Sequence, residues 1–187
     1  MWFWEDCAGL ATLLNAGSRG ITSKHKVVLK AQGLCCSELE APLQQNLVSK
    51  YLLVDKDMKK PSALRIQLLA ALPSEFVDIY SAGLPCQGYS MQGLRQQGRD
   101  SRFRGLILRM PQIISSIQPK LLLLEEVAAF AGSRGESAIR KILKARNYVV
   151  STFIFNSREY VPQNRSRWYL LAVPSRVAPS DFTELRP

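Results

Sequence analysis

The chain has 187 residues, 47% of them apolar, and 25 lysines and arginines against 15 acids, which gives a net charge of +10 and a pI near 9.7. That length and apolar content suit one globular domain with a sizeable core, and no apolar run reaches the roughly 18 residues needed to span a bilayer. The start, Met1-Trp2-Phe3-Trp4-Glu5-Asp6, lacks the basic end and long apolar segment of a secretion signal, and the basic balance favours a polyanionic partner.

In chain order, short apolar runs predict strands at 1–5, 27–34, 52–54, 76–81, 121–124, 149–155 and 168–173. Helix-like stretches at 10–16, 41–50, 62–72, 105–117 and 136–146 lie between most of them. Such alternation predicts an α/β fold built on a mostly parallel, doubly wound sheet covered on both faces. The run 121–124 is apolar without alternation, as a strand buried on both sides should be. The last two runs are joined by polar residues and no helix, which predicts an antiparallel hairpin at the sheet edge. One domain over 1–174 and an irregular tail over 175–187 follow from this pattern.

Ligands of open α/β sheets bind beyond the carboxyl ends of the strands. The noteworthy polar residues fall there: Asp6 and Gly9 after the first run, Glu38 after the second, Asp55 after the third, Cys86 after the fourth and Glu125 after the fifth. Neighbouring strands stand about 4.8 Å apart, so pairing of the fourth and fifth would let Cys86 and Glu125 face one substrate. A thiol and a carboxyl so placed suit covalent attack on an electron-poor ring with acid assistance. Arg95, Arg99, Arg102, Arg104 and Arg109 crowd the segment after Cys86, and Arg158, Arg165 and Arg167 crowd a second polar turn.

Cys7, Cys35, Cys36 and Cys86 show no zinc-like spacing, and the first three read as small core residues. Reduced thiols point to an intracellular protein, in the nucleus of a eukaryote or the cytoplasm of a bacterium. The sole histidine, His25, lies in a basic loop without partners, which argues against a cysteine hydrolase with an imidazole base.

Four segments in order carry a resemblance: Gly83-Leu84-Pro85-Cys86-Gln87-Gly88-Tyr89-Ser90, Asp100-Ser101-Arg102, Glu125-Glu126-Val127 and Val161-Pro162-Gln163-Asn164-Arg165-Ser166-Arg167. They resemble the cytosine-5 DNA methyltransferase family, whose fold is the Rossmann-like type that binds S-adenosylmethionine. The resemblance implies Cys86 as nucleophile, Glu125 as the carboxyl at the ring edge, and Arg165 and Arg167 as the arginines orienting base, phosphate and nucleophile loop. It implies a cofactor site at Asp6, Cys7, Ala8, Gly9, Leu10, Glu38, Asp55 and Pro85, with Asp57 the alternative to Asp55, which is preferred because it closes the apolar run. It implies nucleic-acid contacts at Gln87, Ser90, Arg102, Gln163 and Arg165.

The chemistry fits those residue types. Carbon 5 of cytosine is a poor nucleophile, and a thiolate adding at carbon 6 makes it enamine-like. A carboxyl donating to ring nitrogen 3 stabilises the developing charge, so Glu125 is expected to work with a raised pKa. A cytosine in duplex DNA must be swung out of the stack to reach such a pocket.

The sequence departs from the family pattern twice. Cys7 replaces an aromatic residue and Ala11-Thr12 replace two glycines of the first motif, which narrows the backbone freedom there. Glu126 replaces an asparagine that braces the nucleophile loop, and an ionised carboxyl cannot donate a hydrogen bond. The family pattern also includes a target-recognition region and a last helical motif, expected from a segment beyond Pro187 or from a protein partner. Two alternatives stand beside the DNA methyltransferase reading: a non-catalytic remnant that binds nucleic acid by charge, and a methyltransferase acting on transfer RNA.

Overall fold

A computed structural model describes residues 2–6, 32–37, 45, 51–55, 62–74, 76–83, 101–159 and 161–184. The chain forms two compact units, Met1–Gly83 with Ile113–Lys120, and Leu84–Gln112 with Leu121–Pro187.

In the first unit, strands β1 (Trp2–Asp6), β2 (Gln32–Ser37), β3 (Tyr51–Asp55) and β4 (Ile79–Gly83) lie in the order β3-β2-β1-β4, every neighbouring pair parallel. The chain thus steps outward from β1 to β3 and returns to the other side of β1. That reversal makes a topological switch point between β1 and β4, where doubly wound sheets bind their ligands. The register sets Asp6 beside both Ser37 and Ala82, and Ser37 beside Asp55. The carboxyl ends of the four strands therefore share one edge.

Helix α1 (Ala63–Ala71) starts where the Ser62 hydroxyl accepts the Arg65 N–H at 3.2 Å, an N-cap that satisfies one orphan donor. Before β4, the Val77 carbonyl accepts the Lys120 N–H at 3.3 Å and the Lys120 ammonium pairs with Asp78 at 2.7 Å. These contacts occupy residues 77 and 78, so β4 begins at Ile79, later than the expected 76, and runs on to Gly83. Helix α2 (Ser101–Ile117) supplies residues to both units and ends at Gln118, whose φ is 41°.

The second unit holds β5 (Leu121–Val127), helix α3 (Arg134–Lys144), β6 (Tyr148–Asn156) and β7 (Ser166–Pro174). Its strands lie in the order β5-β7-β6 and are antiparallel, so β6 and β7 are the hairpin expected from the sequence. Alternation along β5 and β7 buries Leu122, Leu124, Glu126, Trp168, Leu170 and Ala172. Phe130 meets Trp168 edge to face at 4.9 Å.

Helix α3 begins two residues before the expected 136 because Ser133 is its N-cap and accepts the Glu136 N–H at 3.1 Å. The Glu136 carboxylate in turn accepts the Gly132 N–H at 2.7 Å and pairs with Arg140 at 2.8 Å. After the helix, Asn147 adopts a φ of 57°, a conformation asparagine tolerates, and the chain turns into β6. Part of the segment read as an irregular tail is ordered. Two short 3-10 turns, Ser175–Val177 and Phe182–Glu184, follow β7, and Phe182 is buried.

The expected helices at 10–16 and 41–50 lie outside the described residues, apart from Gln45, which is helical.

Candidate active site

The two arginines of the Gln-x-Arg-x-Arg segment converge on one carboxylate. Strand β5 carries Glu125 opposite Tyr169 of β7, and Val127 opposite Arg167. Arg167 is thus the diagonal neighbour of Glu125 on the same sheet face, within reach of a long side chain. Its Nε donates to Glu125 Oε1 at 2.9 Å, and the Arg165 Nη2 stands 3.6 Å from the same oxygen. The Arg167 Nη1 donates to the Ser166 carbonyl at 3.0 Å, so the guanidinium is fixed at two points. The Glu125 side chain is 28% exposed and that of Arg165 48%, so the cluster faces solvent on one side.

Tyr169 lies beside this cluster, stacked on Phe153 at 5.7 Å and edge-on to Phe155 at 6.5 Å. Burial holds its phenol above the ordinary 10.0, and the Glu125 charge adds to that.

The next residue on β5 meets the opposite environment. Glu126 points to the buried face, opposite Trp168, and is 1% exposed. Its Oε2 accepts the Val127 N–H at 2.8 Å, while its Oε1 is buried and meets no hydrogen-bond partner among the described residues. Burial first, then the charge of Glu125, push its pKa from 4.5 to about 7, against the lowering effects of the Val127 N–H and of Arg167. A raised pKa thus belongs to Glu126, a residue for which the sequence carried no such expectation. A partly protonated Glu126 can donate a hydrogen bond.

The other expected site residues are placed as follows. Asp6 and Asp55 are the last residues of β1 and β3, with β2 between them, and Asp6 lies on a strand that flanks the switch point. Arg102 lies in the first turn of α2. Gln163 is exposed in the β6–β7 connection, where its carbonyl accepts the Ser157 hydroxyl at 2.6 Å. Cys7, Ala8, Gly9, Leu10, Glu38, Pro85, Cys86, Gln87 and Ser90 lie outside the described residues, and with them the expected approach of Cys86 to Glu125.

The sequence reading passed over Asn156, which closes β6 and bonds to Asn164 at 2.8 Å and to Ser166 at 3.0 Å. Its signal was an asparagine at the last position of an apolar strand, facing a polar turn.

Known proteins bear on this arrangement. The chain is 36% identical over 98 residues to the type II methyltransferase M.NlaX of Neisseria lactamica, a match covering 50% of this chain and 31% of that protein. It is 31% identical over 124 residues to M.HpaII of Haemophilus parainfluenzae, covering 63% and 34%. The chain thus spans about a third of the length of these relatives. Among solved structures, the methyltransferase EhMeth of Entamoeba histolytica superposes with a TM-score of 0.71 at 17% identity, over 96% of this chain and 53% of that one. The Dnmt2 methyltransferase of S. pombe gives 0.68 at 16%, over 98% and 54%. That likeness shows the fold to be the doubly wound α/β class expected from the sequence. The family model described as C-5 cytosine-specific DNA methylase matches residues 28–183, which include β5, the Glu125 cluster and the hairpin. This chain belongs to the C-5 cytosine-specific DNA methylase family.

Proposed function

We propose that the chain is the catalytic part of a DNA cytosine-5 methyltransferase that uses S-adenosylmethionine. The observation that carries this reading is the grip of Arg167 and Arg165 on Glu125 within the segment matched by the family model. In this reading Glu125 meets the polar edge of a cytosine, and the two guanidiniums fix the carboxyl and add positive charge where base and phosphate arrive. The Cys86 thiolate forms a bond to carbon 6, carbon 5 takes the methyl group and loses its proton to a base, and the bond to sulfur then breaks. The target is a cytosine swung out of the duplex.

The first unit supports the cofactor assignment through the chemistry of its strand ends. Two acidic residues, Asp6 and Asp55, close β1 and β3 at the shared edge, and acids there suit the amine and hydroxyl donors of an adenosyl group. When bound, S-adenosylmethionine supplies an electrophilic methyl group.

Tritium transfer from labelled S-adenosylmethionine to DNA and to transfer RNA tests the reading. Transfer to DNA that Cys86→Ala abolishes is the expected result. Transfer to transfer RNA alone moves the substrate to RNA. A folded chain that neither binds the cofactor in calorimetry nor transfers methyl groups is a non-catalytic remnant.

A further inference from the structure

Arg165 sits on a segment that contributes little burial of its own, since residues 161–165 are exposed, whereas Arg167 lies just inside β7, opposite Val127 and Phe155. An arginine on an exposed turn holds one geometry only if its backbone is fixed, because both chain and side chain must give up conformational freedom. The structure shows what fixes it. Asn156 and Ser166 are the last paired residues of β6 and β7. The Asn156 Nδ2 donates to Ser166 Oγ at 3.0 Å and to Asn164 Oδ1 at 2.8 Å, so one amide brackets Arg165 on both sides. Its Oδ1 accepts the Arg158 N–H at 2.9 Å. The adjacent Ser157 N–H donates to the Arg165 carbonyl at 3.1 Å. Ser166, held in this way, offers its carbonyl to the Arg167 Nη1 at 3.0 Å, while the Arg167 Nε reaches Glu125. A continuous path thus runs from the Asn156 amide through Ser166 and Arg167 to the Glu125 carboxylate.

We propose that Asn156 is a positioning residue, whose amide sets the Arg165–Arg167 segment so that both guanidiniums meet Glu125. It acts through the arginines and touches neither Glu125 nor the base. Its donor atom does the positioning, while its acceptor atom shapes the turn at Arg158. Asn156→Asp separates the two roles, since a carboxylate keeps the acceptor and loses the donor. The inference rests on the methyltransferase reading only for its kinetic arm.

The experiment compares the parent chain with Asn156→Ala, Asn156→Asp and Ser166→Ala. The first readout is water exchange of the Arg167 Nε–H, followed by nitrogen-15 NMR and assigned by its loss in Arg167→Lys. The second is methyl transfer to DNA. Both Asn156 variants are expected to raise the exchange about fivefold or more and to lower kcat/KM about five- to tenfold, as loss of one or two neutral hydrogen bonds should. Ser166→Ala is expected to do the same more weakly, and to add nothing further in the Asn156→Ala background. An Arg167 signal that exchanges as in the parent, in any folded Asn156 variant, overturns the proposal. So does Asn156→Asp behaving as the parent in the Ser166→Ala background, where the Ser166 hydroxyl can no longer donate to the new carboxylate, which assigns the residue to turn shape alone. Should Asn156→Ala fail to fold, Asn156→Asp and Ser166→Ala carry the same comparison. A parent chain that transfers no methyl group defeats the methyltransferase reading, while the NMR readout still decides the role of Asn156.

Discussion

The two faces of the β5–β7 pair hold neighbouring glutamates in opposite circumstances. Glu125 lies on the half-open face, held by Arg167 at 2.9 Å and Arg165 at 3.6 Å. Glu126, one residue on, is 1% exposed, opposite Trp168, with one oxygen bonded to the Val127 N–H and the other without a partner among the described residues. Strand alternation alone produces the difference, because successive side chains point to opposite faces. Identical side chains thus join an ion-pair cluster on one side and lie desolvated in the core on the other, and each face can be broken separately.

The largest expected effect is at the buried face. Trp168→Ala removes the partner of Phe130 and the apolar cover opposite Glu126, and should cost about 3–5 kcal/mol in chemical denaturation. On the half-open face, Glu125→Gln keeps shape and loses charge. It should lower methyl transfer on the order of 100-fold or more with the melting temperature little changed, which a kinetic assay beside calorimetry checks.

Glu126 gives a pH dependence whose sign is fixed. Its folded-state pKa, about 7, lies above its ordinary 4.5, so the folded chain keeps the proton over a window in which the unfolded chain has released it. Stability is full below the lower value, falls as pH rises through the window, and above it is lower by up to about 3 kcal/mol. Glu126→Gln should flatten this curve and stabilise the chain at pH 8 by about 2 kcal/mol, measured by urea titration across pH. A parent curve that rises between pH 5 and 7 while the variant stays flat contradicts it.

The smallest effects separate the two arginines. Arg167 is the better buried and makes the shorter bond, so Arg167→Lys should lower transfer more than Arg165→Lys. The more exposed pair is worth at most about 1 kcal/mol.

How much of this was legible in the sequence follows from where apolar patterning fails. The run 121–124 announced a strand, but the strand continues through Glu125, Glu126 and Val127 because β7 pairs with all three. The run 168–173 missed Ser166 and Arg167 for the same reason. Both errors lie where polar residues, Glu125 and Glu126 in one strand and Ser166 and Arg167 in the other, interrupt the apolar pattern. The motif residues Glu125, Arg165 and Arg167 were legible through the family resemblance, and the structure brings all three together. The burial of Glu126 was not legible, because facing direction depends on register and register depends on the partner strand. Asn156 was visible in the sequence only as an asparagine closing an apolar run before a polar turn, and spacing along the chain carries no trace of the atoms it meets across the hairpin.

The most direct test of the account sets the two glutamates side by side in one assay of labelled methyl transfer to cytosine in DNA. Parent and Glu126→Gln should both transfer, with Glu125→Gln nearly silent. Transfer by Glu125→Gln at the parent rate would show that the carboxylate held by the two arginines takes no part in the chemistry.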